Sequence, residues 1–456
     1  MQVFNRHVSG KGLTVFSLET VLISVLMLVA ARAHGSLDSA LSALWKIGLA
    51  TAVFELCFYY NDLYDLTVVH SRAELLMRVT RAAGTGAIAL AILSIAIPAI
   101  SVGHGIFVTS LWLVLVAIPL WRMAFDGLTR DRRLEQRVLI VGTGPLARLV
   151  ARQIRSQHDF GYHIVGCVTE SSDADTAGLD LPLLGTSADV SLLVLRHQID
   201  RVVVGLSDRR GHLPIQELLR AKLSGVRIED AATTYERISG KILTDGLAPS
   251  WLIFSDGFQA TRGTRVVKRL IDIGLAAVGL VLAAPLMLLT AIAVRLDSPG
   301  PVLYRQVRVG ENDRLFTLCK FRSMRSDAER GKPIWATNND SRVTRVGRFI
   351  RLTRLDELPQ LLNVIRGDMS FVGPRPERPY FVQQLAALIP FYAERHAVKP
   401  GVTGWAQVKY GYGSTVEDAM EKLRYDLYYI KHLSIGFDLT IVVDTVKVIL
   451  CGKGAQ

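Results

Sequence analysis

The segment Asp356-Glu357-Leu358-Pro359-Gln360 sets two adjacent carboxylates just ahead of a proline. Proline is favoured in a helix's first turn, so the spacing predicts a short helix through Leu361–Ile365 with both acids at its N-terminus. There the helix dipole and nearby arginines stabilise the anions and hold their pKa low. Such a carboxylate is a poor general base, but it can attack phosphorus as a nucleophile or bind Mg²⁺. Taken alone, the dyad fits simple helix capping equally well. Three neighbouring groups point toward phosphate. Gly373-Pro374-Arg375-Pro376 is a rigid turn that presents one arginine, a residue able to meet phosphate bidentately. Lys320-Phe321-Arg322 follows the strand-like Leu315–Leu318, and Lys399–Trp405 is a proline-glycine loop whose indole can stack on a base.

The elements that must hold these groups are basic and apolar together. Arg342, Arg345, Arg348, Arg351 and Arg354 recur every third residue, with Val343, Val346, Phe349, Ile350, Leu352 and Leu355 between them. On a helix this gives a drifting basic stripe beside an apolar one, a pattern that also suits a helix lying on a membrane surface. Upstream, Ile273–Val294 is long enough to span a bilayer but carries Pro285 in its middle, so a break is expected. Arg262, Arg265, Lys268 and Arg269 precede it, and Arg295, Arg305 and Arg308 follow. A crossing helix would leave one basic flank outside the cell. A re-entrant helix over residues 270–295 keeps both flanks on the cytoplasmic side, and a kinked transmembrane helix is the alternative.

Four apolar runs open the chain, at Leu13–Ala31, Leu41–Tyr60, Ala82–Ile100 and Ile106–Trp121. Lys46 and Glu55 in the second should snorkel or face the bundle interior. Nine Lys and Arg flank the runs on one side (among them Arg72, Arg78, Arg81, Arg122 and Arg130) against two on the other, which puts both ends of this region in the cytoplasm. From Arg137 short β-branched runs alternate with polar helical stretches, the pattern of a parallel α/β module. Gly142-Thr143-Gly144-Pro145-Leu146-Ala147 has the G-x-G-x-x-A form, and Glu170 stands where a ribose contact would be. Gly142 and Gly144 are therefore weak candidates for a dinucleotide site, and a module that only packs or regulates fits as well.

Composition agrees with a membrane enzyme. Of 456 residues half are hydrophobic, and the net charge is +12; mean hydropathy is +0.29. Residues 262–456 hold 29 Lys and Arg against 18 Asp and Glu, nearly the whole excess. Nucleic acid is excluded as a partner, because the basic region is interleaved with membrane signals and contains no nucleic-acid motif. The four cysteines are far apart, which argues against a disulfide framework or a zinc site.

Residues 262–456 resemble the bacterial sugar transferase domain of the monotopic phosphoglycosyl transferases, the polyprenyl-phosphate hexose-1-phosphate transferases. The resemblance rests on Lys268-Arg269 with Asp272, Pro285, Asp297–Pro301, Arg305-Gln306 with Arg308 and Gly310, Lys320–Met324, Asp356–Gln360, Arg366–Ser370, Val372–Pro376 and Lys399–Val408. With the helices and α/β module ahead of it, the chain resembles the large subclass. This implies a membrane α plus α/β fold: four transmembrane helices (1–135), a Rossmann-like, CoA-binding-like module (136–260) and a mostly helical catalytic domain with a re-entrant helix (261–456). It implies transfer of a sugar 1-phosphate from a UDP-sugar, glucose or galactose, to undecaprenyl phosphate, releasing UMP and initiating exopolysaccharide, capsule or O-antigen assembly. It further implies that Asp356 is the nucleophile of a covalent phosphosugar intermediate, that Glu357 and Asp356 hold Mg²⁺, and that Lys320, Arg322, Arg351, Arg375 and Asp426 meet substrate phosphate. The expected setting is the bacterial inner membrane, multi-pass, with the catalytic domain on the cytoplasmic face, membrane lipid as a partner and a possible homodimer. Where the family commonly has Ser-Pro at the break, this chain has Ala284-Pro285, which leaves the angle of the break open. Rival readings are a membrane-anchored nucleotide-sugar dehydratase or epimerase, weakened by the lack of a Tyr-x-x-x-Lys pair, and a non-catalytic scaffold of polysaccharide assembly.

Overall fold

The computed structural model describes residues 2–3, 6–7, 10–34, 40–61, 63–64, 72–100, 103–129, 135–156, 161–169, 181–206, 213–244, 255, 257–258, 261–325, 340, 342–411, 413 and 415–450. His7–Ile238 and Ser239–Gln456 form two compact units. The first opens with four helices, α1 (Gly10–Ala33), α2 (Ala40–Tyr60), α3 (Arg72–Ala96) and α4 (His104–Thr129), packed around Phe54, Phe58, Val79 and Val114. Among the described residues, the helices long and apolar enough to cross a membrane lie at Thr14–Ala33, Glu74–Ala96, Gly105–Phe125 and Arg262–Asp297, and they mark a membrane protein.

Two helices run further than their apolar stretches. α3 begins at Arg72 rather than Ala82, because Leu75 and Val79 share a buried face four residues apart and Arg78 pairs with Glu74 at 2.8 Å. α4 continues past Trp121, so Arg122, counted above as a flanking charge, is inside the helix. It is buried, with Nε donating to Glu19 at 2.7 Å, Nη2 to the same carboxylate at 2.9 Å, and Nη1 to the Leu63 carbonyl. Glu55 faces the interior, where the Thr20 hydroxyl donates to it at 3.1 Å. Arg130, Arg132 and Arg133 lie outside the described residues.

The rest of the first unit is a five-stranded parallel sheet of β1 (Gln136–Val141), β2 (Tyr162–Thr169), β3 (Leu183–Thr186), β4 (Arg201–Val204) and β5 (Arg227–Asp230), in the order β3-β2-β1-β4-β5. Helices α5 (Pro145–Ser156), α6 (Val190–His197), α7 (Ile215–Leu223) and α8 (Ala231–Ser239) connect or follow the strands. This is a doubly wound order whose switch point lies between β1 and β4. Gly142 (φ 109°) and Gly144 make the turn from β1 into α5 at that point, and a side chain at Gly205 after β4 would meet the Ala147 Cβ at 2.9 Å. Glu170 lies outside the described residues.

In the second unit α9 (Arg262–Asp297) holds Pro285 within it, with helix on both sides. The proline removes one hydrogen bond, while the helix carries on for three further turns beyond it. Both ends of α9 are bonded to the same body. Near its start, Asp272 accepts from the Phe371 backbone N–H (2.9 Å), and Lys268 and Arg269 donate to the Val372 (3.1 Å) and Val364 (2.6 Å) carbonyls. At its end, Asp297 accepts from the Val346 N–H at 3.1 Å. Next comes an antiparallel hairpin, β6 (Leu303–Val309) and β7 (Leu315–Phe321), then α10 (Arg345–Leu352) and α11 (Gln360–Arg366). A two-stranded parallel pair, β8 (Ser370–Val372) and β9 (Gly401–Thr403), is followed by helices that close a core around Phe381, Tyr392, Leu427 and Phe437. These are α12 (Pro379–Leu388), α13 (Trp405–Lys409), α14 (Val416–Lys431) and α15 (Ile435–Leu450). Ile242 belongs to that core and its N–H bonds the Arg424 carbonyl, so the described residues from 239 to 258 go with this unit rather than with the sheet.

Candidate active site

The acidic dyad sits on a single 3₁₀ turn, Leu355–Glu357, immediately before α11. The basic stripe does not continue as one helix into it. α10 ends at Leu352, and Arg354 takes a left-handed conformation (φ 60°), an uncommon state for a residue with a Cβ. That reversal lets Leu355 pack with Phe321 and Ile350 and brings the two acids toward β7. Glu357 then gathers three cations on one oxygen: Oε1 lies 2.8 Å from Arg375 Nη2, 3.3 Å from Lys320 Nζ and 3.8 Å from Arg354 Nη1. Asp356 is 7% exposed and, among the described residues, has no hydrogen bond or ion pair.

The charges follow from this asymmetry. Burial would raise the Glu357 carboxyl, but Arg375, Lys320 and Arg354 outweigh it and hold the group well below the usual carboxylate range. Burial lifts the Asp356 carboxyl above its usual range; Lys320 opposes this and the Glu357 charge adds to it. The sequence reading of two low-pKa acids is therefore corrected for Asp356, whose neighbour takes most of the cationic field. Burial also pulls the Lys320 ammonium down, with Glu357 opposing. A buried carboxylate with free valences beside a second one fits Mg²⁺, which is held by one or two carboxylates with phosphate and water completing its shell.

The turn that carries Arg375 is fixed through its backbone. Gly373, Gly401 and Gly404 meet main chain to main chain: a Cβ on Gly373 would stand 2.3 Å from the Lys399 carbonyl oxygen, and one on Gly404 2.2 Å from that of Gly373. The Gly401 N–H donates to the Pro374 carbonyl (2.9 Å), and Arg308 Nη1 to that of Pro376 (2.9 Å). Asn363, which no spacing argument singled out, ties α11 to β7. It donates to the Thr317 carbonyl at 2.8 Å and accepts from the Cys319 N–H at 3.1 Å, so the dyad and Lys320 are held in register. Its only sequence signal was a polar residue among the apolar ones of a short helix.

Three residues expected at the site are placed differently. Arg322 is buried, donating to the Pro299 (2.6 Å) and Ser298 (2.7 Å) carbonyls just past α9 and to the Val294 carbonyl (3.4 Å) in its last turn, where helix carbonyls lack partners. Asp426 is 1% exposed, its carboxyl pushed up to about 6 by burial with Arg395 opposing, and it pairs with Arg395 at 2.8 Å. Trp405 is 3% exposed, its Nε1 donating to the Gly240 carbonyl (2.8 Å) and its ring stacked on Tyr428, so it is a core residue and cannot receive a base. Arg351 is half-buried, with Nε on the Ser323 hydroxyl at 2.8 Å, near enough to Asp356 to favour its anion. On α10, Phe349 and Leu352 are each 60% exposed beside the exposed Arg345 and Arg348.

The family model described as bacterial sugar transferase matches residues 263–452, and one described as CoA-binding domain matches residues 60–221. A UDP-glucose:undecaprenyl-phosphate glucose-1-phosphate transferase of Xanthomonas campestris pv. campestris is 34% identical over 359 residues, covering 76% of this chain and 74% of its own. The chain belongs to the bacterial sugar transferase family. Another similar protein is a UDP-N-acetylgalactosamine-undecaprenyl-phosphate N-acetylgalactosaminephosphotransferase of Aeromonas hydrophila, 42% identical over 239 residues, 52% of this chain. The match spans only 56% of that relative's length. A UDP-glucose:undecaprenyl-phosphate glucose-1-phosphate transferase of Escherichia coli (strain K12) is 46% identical over 184 residues, 40% of each chain. The family match contains the whole cluster from Lys320 to Asp426.

Proposed function

We propose that the protein transfers a sugar 1-phosphate from a UDP-sugar to undecaprenyl phosphate, releasing UMP and starting assembly of an exopolysaccharide, capsule or O-antigen repeat. The observation that carries this reading is the buried Asp356 carboxylate, without a bond among the described residues, beside a Glu357 on which three cations converge. An Asp356 oxygen attacks the phosphorus that bears the sugar. The bond from that phosphorus to the bridging oxygen breaks, and UMP leaves with the electron pair. A phosphate oxygen of the lipid then attacks the same phosphorus, and Asp356 departs as carboxylate. Lys320, Arg354 and Arg375 exchange part of their hold on Glu357 for the incoming phosphate oxygens, and Arg351 holds Asp356 ionised. When bound by Asp356 and Glu357, Mg²⁺ supplies neutralisation of phosphate charge.

The attachment of both ends of α9 to one polar body supports a re-entrant helix over a crossing one, since a crossing helix would have its ends on opposite sides of the bilayer. With the basic flanks, it supports a site at the cytoplasmic face of the bacterial inner membrane, where a soluble nucleotide sugar meets a lipid phosphate. The named relatives use glucose and N-acetylgalactosamine donors, so UDP-glucose, UDP-galactose and UDP-N-acetylgalactosamine form the donor panel. Purified protein with Mg²⁺ and undecaprenyl phosphate should release UMP from one of them. Asp356→Asn should lower that release by a factor of about 10⁴ or more with the fold intact. Activity retained in Asp356→Asn would remove it as the nucleophile.

A further inference from the structure

We infer that Arg395 is a positioning residue for the transfer: it joins the buried Asp426 to the backbone carbonyl of Arg375 and so fixes the direction in which Arg375 leaves its turn. The inference rests on the reading that Arg375 meets the donor diphosphate. Arg395 is buried on the 3₁₀ segment Tyr392–Ala397, remote in sequence from the dyad. Its Nη1 donates to the Tyr392 hydroxyl at 2.6 Å, and its Nη2 donates to the Arg375 carbonyl at 3.0 Å and lies 2.8 Å from Asp426 Oδ2.

The position of these bonds gives them their effect. Arg375 lies between two prolines, so the torsions about its own Cα decide where its side chain points. The peptide plane before it is held by the Gly401 N–H on the Pro374 carbonyl, at 2.9 Å. Arg395 holds the plane after it. With both planes fixed, φ and ψ at Arg375 are fixed, and the guanidinium reaches Glu357 at 2.8 Å. Asp426 neutralises a guanidinium that is otherwise expensive to bury. Its acidic character therefore serves Arg395, not a phosphate, which its burial keeps out of reach.

Lysine at 395 keeps the charge for Asp426 but lacks the fork that spans three acceptors. The test is a double-mutant cycle on the full-length protein, read twice: as kcat/KM for UMP release, and as calorimetric affinity for UDP with Mg²⁺. Arg395→Lys should lower turnover about 10²-fold and UDP affinity about tenfold. In an Arg375→Ala background the same change should cost no further affinity. Asp426→Asn, which keeps the shape and an acceptor, should show the same coupling to Arg375→Ala with a smaller loss. Equal losses in both backgrounds, the result of an independent role or of general unfolding, would overturn the inference. Should the wild type bind UDP but turn over no donor, the proposed reaction fails while the binding cycle still decides the role of Arg395. Absence of UDP binding by the wild type would overturn both.

Discussion

In the N-terminal bundle Glu19 and Arg122, both buried, pair at 2.7 and 2.9 Å, and the neighbouring Glu55 accepts from the Thr20 and Tyr64 hydroxyls. In the second unit one acid, Glu357, meets three bases, while a second acid beside it has no partner among the described residues. The first arrangement is complete and can only hold helices together. The second carries cations in excess of what Glu357 requires and a carboxylate with no partner among the described residues, a combination that an added anion would complete. Charge balance separates architecture from site more sharply than burial does, since both clusters are out of water.

The contrast can be broken at four points. Glu357→Gln frees three cations but removes a proposed Mg²⁺ ligand, so turnover should fall about 10²- to 10³-fold while UDP affinity measured by calorimetry without Mg²⁺ holds or rises; weakened metal-free binding would mean that the acid organises the cations instead of occupying them. In the bundle, Glu19→Gln should cost about 3 kcal/mol by leaving Arg122 buried and unpaired, and Glu19→Leu with Arg122→Met should restore most of it, read as thermal unfolding in detergent. Arg375→Lys replaces a fork by a point charge and should lower kcat/KM about tenfold. Smallest is the pH effect. In the proposed mechanism Asp356 attacks as an anion, and its carboxyl is raised, so the acid limb of kcat/KM should fall at a higher pH than an ordinary aspartate gives. Lys320 is lowered, so its loss of charge should draw the alkaline limb below the ordinary lysine range. An acid limb at or below the usual aspartate value would assign that limb to another group.

Local residue order carried much of this. The dyad before a proline, the Gly-Pro-Arg-Pro turn and the glycine turn after β1 were legible because turn geometry and helix starts depend on neighbours in sequence. What depends on distant neighbours was not. Trp405 has the composition of a stacking residue, yet Gly240 and Tyr428, which bury it, come from remote segments. Arg322 stands two residues from Lys320 but is claimed by the end of α9. The stripe ending at Arg354 looked continuous because a left-handed residue without glycine leaves no mark in composition. Asn363 acts through two hydrogen bonds to remote backbone and Arg395 through one, which no periodicity can reveal.

The close approach of Gly373, Gly401 and Gly404, together with bonds to the carbonyls of Val372, Pro374, Arg375 and Pro376 from Lys268, Gly401, Arg395 and Arg308, fastens the arginine turn at its main chain. A frame secured in this way does not depend on the side chains that would contact a sugar. Descendants of such a frame are free to change their donor by altering those side chains, with the phosphate chemistry inherited unaltered, whereas drift at the three glycines is closed to all of them.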